Sequence, residues 1–233
     1  MEVRAIRTRV FKEKEDLISF ITHHIPKFAD GSILAVTSKI VALSEGRTAD
    51  SSQKERLIRS ESEWALQAKQ GKITLKDGVL MWNAGIDTSN ADGKIVLLPK
   101  DSFKAAATLR RELLKRYKIK KMGVIITDSR IMPLRAGVVG IAVGYAGFKG
   151  IYDYRGKKDI FGDMYHVTRT DVADSLATAA VLTMGEGNEQ RPLAILADTP
   201  VQFTERVDRD ELEVPPEDDM YRPLLHPKKP RKR

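Results

Sequence analysis

The chain has 233 residues, of which 42% are hydrophobic and 31% charged, a balance that fits one large globular unit and no membrane span. It has no cysteine, which excludes disulfides, thiolate metal sites and cysteine nucleophiles. The formal net charge is +8, but five of the positive charges sit in the last residues, His226 to Arg233 (HPKKPRKR), leaving +3 for the rest. Pro227 and Pro230 argue for a disordered, solvated tail, which is the expectation here. Nucleic acid therefore enters only as a weak partner of the tail, and MEVRAIRTRV lacks a signal-peptide core, so the expected location is cytoplasmic with no membrane contact.

In chain order, residues 3–11 alternate as a strand, and Lys14 to Ile25 places Leu17, Ile18, Ile21 and Ile25 on one helical face. Ser32 to Ser38 reads as a short buried strand, followed by a helical or loop segment that ends at Glu45-Gly46-Arg47. Gln53 to Gln70 is charged and helix-forming. Strands follow at Gly78 to Trp82 and Lys94 to Leu98, and Asp101 is the N-cap candidate of a basic amphipathic helix running to Tyr117. The second half gives strands at Met122 to Ile126, Gly137 to Ala146, Met164 to Arg169 and Leu193 to Leu196, with a helix over Thr170 to Met184. Strict βαβ alternation is missing, so the expected fold is α+β, with mixed β-sheets and packed helices. Residues 1–200 form the domain, and 201–233, with Pro215-Pro216, an extension.

Several chemistries drop out. There is no GxxxxGK[ST] loop, no GxSxG elbow and no histidine pattern with metal-ligand spacing. Gly140 to Gly147 (GIAVGYAG) has the wrong spacing for a dinucleotide loop, and close sheet packing explains its glycines better. What remains is a carboxylate set. Asn83 to Asn90 (NAGIDTSN) carries Asp87 between two strands, Asp128 and Ser129 end the apolar run Val124 to Ile126, and Glu186 follows an apolar helix. Carboxylate and hydroxyl oxygens are hard ligands suited to magnesium or manganese and to phosphoryl chemistry. Each also has a plain structural reading: Asp87 and Asp128 as turn or cap residues, Glu186 as a solvated helix end.

The order of TSKIVALSEGR (37–47), NAGIDTSN (83–90), LLP (97–99), GVIITDS (123–129), PLRAGVVGIAVGYAGFKGIYDYRGKKDIFG (133–162) and ADSLATAAVLTMGEGNEQRP (173–192) resembles the coenzyme F420-0:γ-glutamyl ligase family. The nearest branch is that of bacterial folate-metabolism γ-glutamate ligases. The likeness spans about residues 5 to 200.

The resemblance implies a ligase that joins L-glutamate to a carboxylate acceptor, F420-0-like or folate-like, through an acyl phosphate. It implies GTP (or ATP) as cosubstrate, two divalent cations (Mg2+ or Mn2+), and two closely associated subdomains in an intertwined homodimer. Asp87 and Asp128 would hold one metal, and Ser129 and Glu186 the other. Ser38, Lys39, Asn90 and the run Met184, Gly185, Glu186, Gly187, Asn188, Glu189, Gln190 and Arg191 would line the nucleotide. Arg135 matches an arginine near the phosphates. Arg47 would serve similarly or pair with Glu45. Two positions depart from the family: Thr8 to Phe11 (TRVF) replaces Leu-Pro-Leu-Ile, and Leu43 replaces a frequent lysine. A second reading is a non-catalytic metal- and nucleotide-binding protein that kept the fold and docks partners through its basic tail.

Overall fold

Strands that are apolar on both faces need cover on both sides, and the architecture follows from that. The structure, a computed structural model, describes residues 1–225. With strands and helices numbered along the chain, the main sheet comprises β1 (Glu2–Ile6), β2 (Ser32–Thr37), β8 (Met122–Ile131), β9 (Val138–Ala146) and β12 (Leu193–Ala197). Their spatial order is β1-β12-β2-β8-β9. β2 and β8 run parallel, with Thr37 beside Thr127, while the other pairs are antiparallel.

Successive side chains of a strand point to opposite faces, and β2 shows the result. Leu34 and Val36 join the core beneath α1 (Leu17–His24) and α4 (Ser102–Tyr117), with Phe20, Ile21, Leu109 and Leu113. Ile33 and Ala35 face the opposite core beneath α5 (Val172–Met184), with Leu176, Ala177 and Ala180. All three helices start where an aspartate accepts a backbone N–H: Asp16 from Ser19, Asp101 from Lys104 and Asp171 from Asp174. The mixed α+β expectation is met.

Between α2 (Ser38–Ser44) and α4 the chain builds an outlying layer. It contains β3 (Thr48–Asp50) paired with β7 (Lys94–Val96), α3 (Lys54–Ser60), and the sheet β4 (Trp64–Gln67), β5 (Lys72–Lys76) and β6 (Val79–Trp82). Ile58, Ile86, Ile95 and Leu97 form a small core of its own. Here the helix expected over Gln53 to Gln70 stops at Ser60, because Trp64–Gln67 pairs with Lys72–Leu75 and ladder pairing overrides helix propensity. The strand expected over Met164 to Arg169 is also displaced. Met164 makes only an isolated bridge to Lys158, and β11 (Arg169–Asp171) pairs instead with β10 (Ile151–Asp153).

The segment from residue 201 is strapped to the sheet. Val201, Phe203, Val207 and Leu212 pack on the α5-side core. Arg110 donates to both carboxylate oxygens of Glu205 at 2.8 and 2.6 Å, and Glu211 Oε1 accepts from Tyr145 Oη and Gly150 N at 2.6 Å each. The basic tail from His226 lies outside the described residues. No helix among the described residues is long and apolar enough to cross a membrane.

The cap of α5 gives a pH-dependent prediction. Burial pushes the Asp171 carboxyl up to about 6; the charge of Asp174 adds to the rise, and the Asp174 N–H opposes it. An unfolded aspartate titrates near 3.9, so the native state holds the extra proton between about pH 4 and 6. Stability therefore falls as pH rises through that window and stays lower above it. Asp171→Asn keeps a good cap and removes the charge. Thermal melts should show a gain of about 1 kcal/mol, roughly 2–4 °C, at pH 8 and none at pH 4.

Candidate functional site

A parallel strand pair presents its carboxyl ends on one side, and the crevice there is where open sheets bind ligands. β2 ends at such a crevice, and β8 runs on past it, carrying Thr127, Asp128 and Ser129 along it. α2 starts directly after β2, so Thr37 and Ser38 stand beside Thr127 and Asp128 on its floor. Ser38 Oγ donates to Asp128 Oδ1 at 3.1 Å.

The first wall is the loop after β6. It turns through Asn83, Ala84 and Gly85, all with positive φ. A side chain at Gly85 would begin 2.6 Å from Leu98, so the sharp turn needs glycine. Asn83 Oδ1 accepts from Lys72 N at 2.9 Å, and Thr74 Oγ1 from Ala84 N at 2.8 Å, which anchors the turn to β5. The loop then delivers Asp87. Its carboxylate accepts from Ser89 N at 2.7 Å and Ser89 Oγ at 3.0 Å and pairs with Lys39 Nζ at 2.7 Å. Burial acts to raise the Asp87 pKa, but the Lys39 ion pair and the Ser89 N–H outweigh it, so the net shift is downward.

The opposite wall is the turn that ends α5. Glu186 Oε1 accepts from Ser129 Oγ at 2.7 Å, and Glu189 Oε2 from Gly187 N at 2.8 Å. Asn90 Nδ2 donates to Gly187 O at 3.1 Å and ties the two walls together. The chain after β1 closes the rim, held by Thr8 N donating to Gln190 O at 2.9 Å. The cavity so enclosed is about 770 Å³, the size of a small-molecule site.

Asp128 carries the main electrostatic tension. Burial pushes its carboxyl up to about 7, against hydrogen bonds from Ser129 N and Ser38, and the charges of Asp87 and Glu186 add to the rise. Asp87, Asp128 and Glu186 thus share one cavity, whose lining also includes Glu13, Asp92 and Glu189. Among the described residues, no three His, Asp or Glu side chains form a ready-made cage. Asp87, Asp128 and Glu186 are each paired with a hydroxyl or an ammonium instead. The donor set nevertheless suits hard divalent cations. Every donor is oxygen, the carboxylates repel one another, and Thr127 Oγ1 is buried on the floor with no hydrogen-bond partner.

Of the residues singled out from sequence, Ser38, Lys39, Asp87, Asn90, Asp128, Ser129 and all of Met184 to Arg191 line this cavity. Arg135 does not: it is exposed in the β8–β9 turn, away from the cavity walls. Arg47 is also elsewhere. It pairs with Glu61 at 2.8 Å and Leu98 O at 3.1 Å, and Glu45 instead accepts from Lys100 N. Sequence reasoning missed Thr127, Arg9, Lys12, Glu13 and Lys94, which all line the cavity. Thr127 alone left a signal, as a polar residue inside the apolar run before Asp128. The divergent Thr8 to Phe11 and Leu43 line the cavity too.

The family description F420-0:Gamma-glutamyl ligase matches residues 52–198. The chain belongs to this family. A Methanocaldococcus jannaschii protein named Coenzyme F420:L-glutamate ligase is 31% identical over 247 aligned residues, covering 95% of this chain and 97% of that protein. An Archaeoglobus fulgidus protein of the same name is 34% identical over 211 residues, 80% of this chain and 83% of its own length. One from Methanococcus maripaludis reaches 40% over 147 residues, 63% of this chain and 58% of that protein. In this member of the F420-0:gamma-glutamyl ligase family, the matched region holds Asp87, Asp128, Ser129 and Glu186, while Ser38, Lys39 and the rim residues 8–13 precede it.

Proposed function

We propose that the chain is a glutamate ligase that forms an amide between L-glutamate and a carboxylate acceptor, with GTP or ATP and two divalent cations, Mg2+ or Mn2+. The observation that carries this reading is the meeting of Asp87, Asp128, Ser129 and Glu186 with Ser38, Lys39, Asn90 and residues 184–191 in one cavity of a family member. The relatives' names point to a glutamate-free F420-type acceptor, and a folate-type acceptor is the next to test.

A free carboxylate is a poor acylating agent because oxide does not leave. Transfer of the γ-phosphoryl group makes an acyl phosphate, and the α-amine of glutamate displaces phosphate from it. Asp87 and Asp128 would hold one cation, Ser129 and Glu186 the other. When bound, the cations offset the charge that develops on the transferred phosphoryl group. The chain's own part is positional. Ser38 holds Asp128 in place, Asn90 clamps the loop of Glu186, and Lys39 brings a positive charge to Asp87.

The test is mass spectrometry of products from the full chain with Mn2+ or Mg2+, GTP or ATP, labelled glutamate and three acceptors. These are the glutamate-free deazaflavin coenzyme, a monoglutamyl folate and a glutamate-ended peptide. A gain of one or more glutamate masses on one acceptor supports the reading. Nucleotide binding without any gain favours a fold kept for binding alone.

The working form is proposed to be a homodimer. The β8–β9 hairpin exposes Ile131, Met132, Leu134, Val138 and Val139 within nine residues of chain, the kind of apolar surface that marks an interaction site. Arg135 stands among them and would meet a nucleotide only across that interface. Sedimentation at micromolar concentration should give a dimer, and Leu134→Glu should give a monomer with an unchanged circular dichroism spectrum. A wild-type monomer would refute this.

A further inference from the structure

Lys39 lies in the first turn of α2, where a cation gains nothing from the helix and needs partners elsewhere. It finds three acceptors. Nζ stands 2.7 Å from Asp87 Oδ2, 2.7 Å from Ser89 O and 3.3 Å from Ser89 Oγ. An ammonium has three protons, so its hydrogen-bonding capacity is filled. The three carboxylates proposed as metal ligands are not treated alike. Asp128 and Glu186 accept only from hydroxyl and backbone groups and have no ion-pair partner among the described residues, whereas Asp87 holds a cation.

That cation stands where a metal would have to come. A divalent ion needs a carboxylate oxygen at about 2.0–2.6 Å; Lys39 already holds Asp87 Oδ2, and Oδ1 accepts from Ser89 N. Two positive groups on one carboxylate oxygen repel each other strongly in a partly buried site. Lysine is well suited to give way, being a point charge on a flexible stem. Both Lys39 and the anion-lined floor open onto the same cavity, so the ammonium can leave Asp87 without crossing packed core.

We propose that Lys39 is a built-in counter-cation: it neutralises Asp87 in the ligand-free protein, competes with the divalent ion for that carboxylate, and moves onto the anionic cosubstrate when the ion takes its place. The proposal rests on the metal reading above and adds an order of events to it. Metal and lysine exclude each other at Asp87, and the phosphate groups give the displaced charge a new partner. Nucleotide should therefore tighten metal binding by more than direct coordination requires, because it removes the competitor.

The test is Mn2+ titration of the nucleotide-free full chain, with free Mn2+ read by electron paramagnetic resonance, for the wild type, Lys39→Met and Asp87→Asn. Lys39→Met is expected to bind Mn2+ roughly tenfold more tightly than the wild type, and Asp87→Asn more weakly. If Lys39→Met binds equally or more weakly while Asp87→Asn still loses affinity, the metal reading stands and the competition is overturned. If Asp87→Asn changes nothing, or no protein binds Mn2+, both fall. A second readout uses the wild type alone, in case Lys39→Met does not fold. Acetylation of Lys39 by an amine-reactive reagent, followed by mass spectrometry, should rise several-fold when Mn2+ is added without nucleotide, since the ammonium leaves its ion pair. Unchanged or reduced labelling overturns the proposal.

Discussion

Asp128→Asn should reduce glutamate ligation by at least about a thousandfold and leave the fold nearly untouched, with a melting temperature within a few degrees of the wild type. The side chains are almost the same shape, and asparagine keeps an oxygen to accept from Ser38 Oγ, now 3.1 Å from Asp128 Oδ1. The substitution removes one negative charge at the cavity floor, where burial already holds the carboxyl at an unfavourable level. Structure therefore loses little. Function loses the ligand that the proposed phosphoryl transfer depends on, between Asp87 on one wall and Glu186 on the other. Product mass spectrometry and Mn2+ titration should fall together. Ligation at wild-type rates would remove Asp128 from the metal site and leave it a structural partner of Ser38.

Gly140→Val should cost about 3 kcal/mol of folding stability, seen as a lower urea midpoint, and should weaken the proposed metal binding even where the protein remains folded. Gly140 has an ordinary extended backbone, so the effect is one of space. A Cβ there would lie 2.5 Å from the carbonyl oxygen of Ala177 and 2.7 Å from Val181 Cγ2. Backbone on α5 is not a flexible obstacle, and the helix must move away from β9. Gly140 is paired with Ser129 across the ladder, and Thr178 Oγ1 donates to its carbonyl at 2.7 Å. Moving α5 thus disturbs the strand that carries Ser129 and the helix whose end carries Glu186. An unchanged urea midpoint would mean that α5 yields cheaply, and the close approach would lose its structural meaning.

That glycine also shows which parts of the molecule the sequence made readable. The spacing of Gly140, Gly144 and Gly147 was wrong for a phosphate loop, and two of the three lie against helix backbone: Gly140 on Ala177 and Gly144 on Ser102. Helices with an aspartate cap and a regular apolar face, such as α4 and α5, were readable to within a residue or two. β2 was readable because an unbroken apolar run of four, Ile33 to Val36, between two small polar residues leaves few other fates. β4 was not. Its four residues are all exposed, so no burial pattern marked it, and only pairing with β5 makes it a strand.

In the cavity, the motif residues were legible because loops of polar residues and glycine are poor core material. The partners that complete it were hidden. Arg9, Lys12, Glu13 and Lys94 look like any solvated charge along the chain, and only the fold brings them to the cavity. Lys39 was visible as a lining residue, but its ion pair joins positions nearly fifty residues apart and has no sequence signature.

The two contacts that close the cavity span still longer loops, Ser38 to Asp128 across 90 residues and Asn90 to Gly187 across 97. Closing such loops costs entropy before any contact repays it. The pocket is therefore among the last features to take shape as the chain folds, after the helices and the local hairpin β5–β6. The proposed nucleotide and metal would therefore not template the early chain and would only trap the finished one. Added to a refolding reaction, either ligand should slow unfolding and leave the rate of folding unchanged.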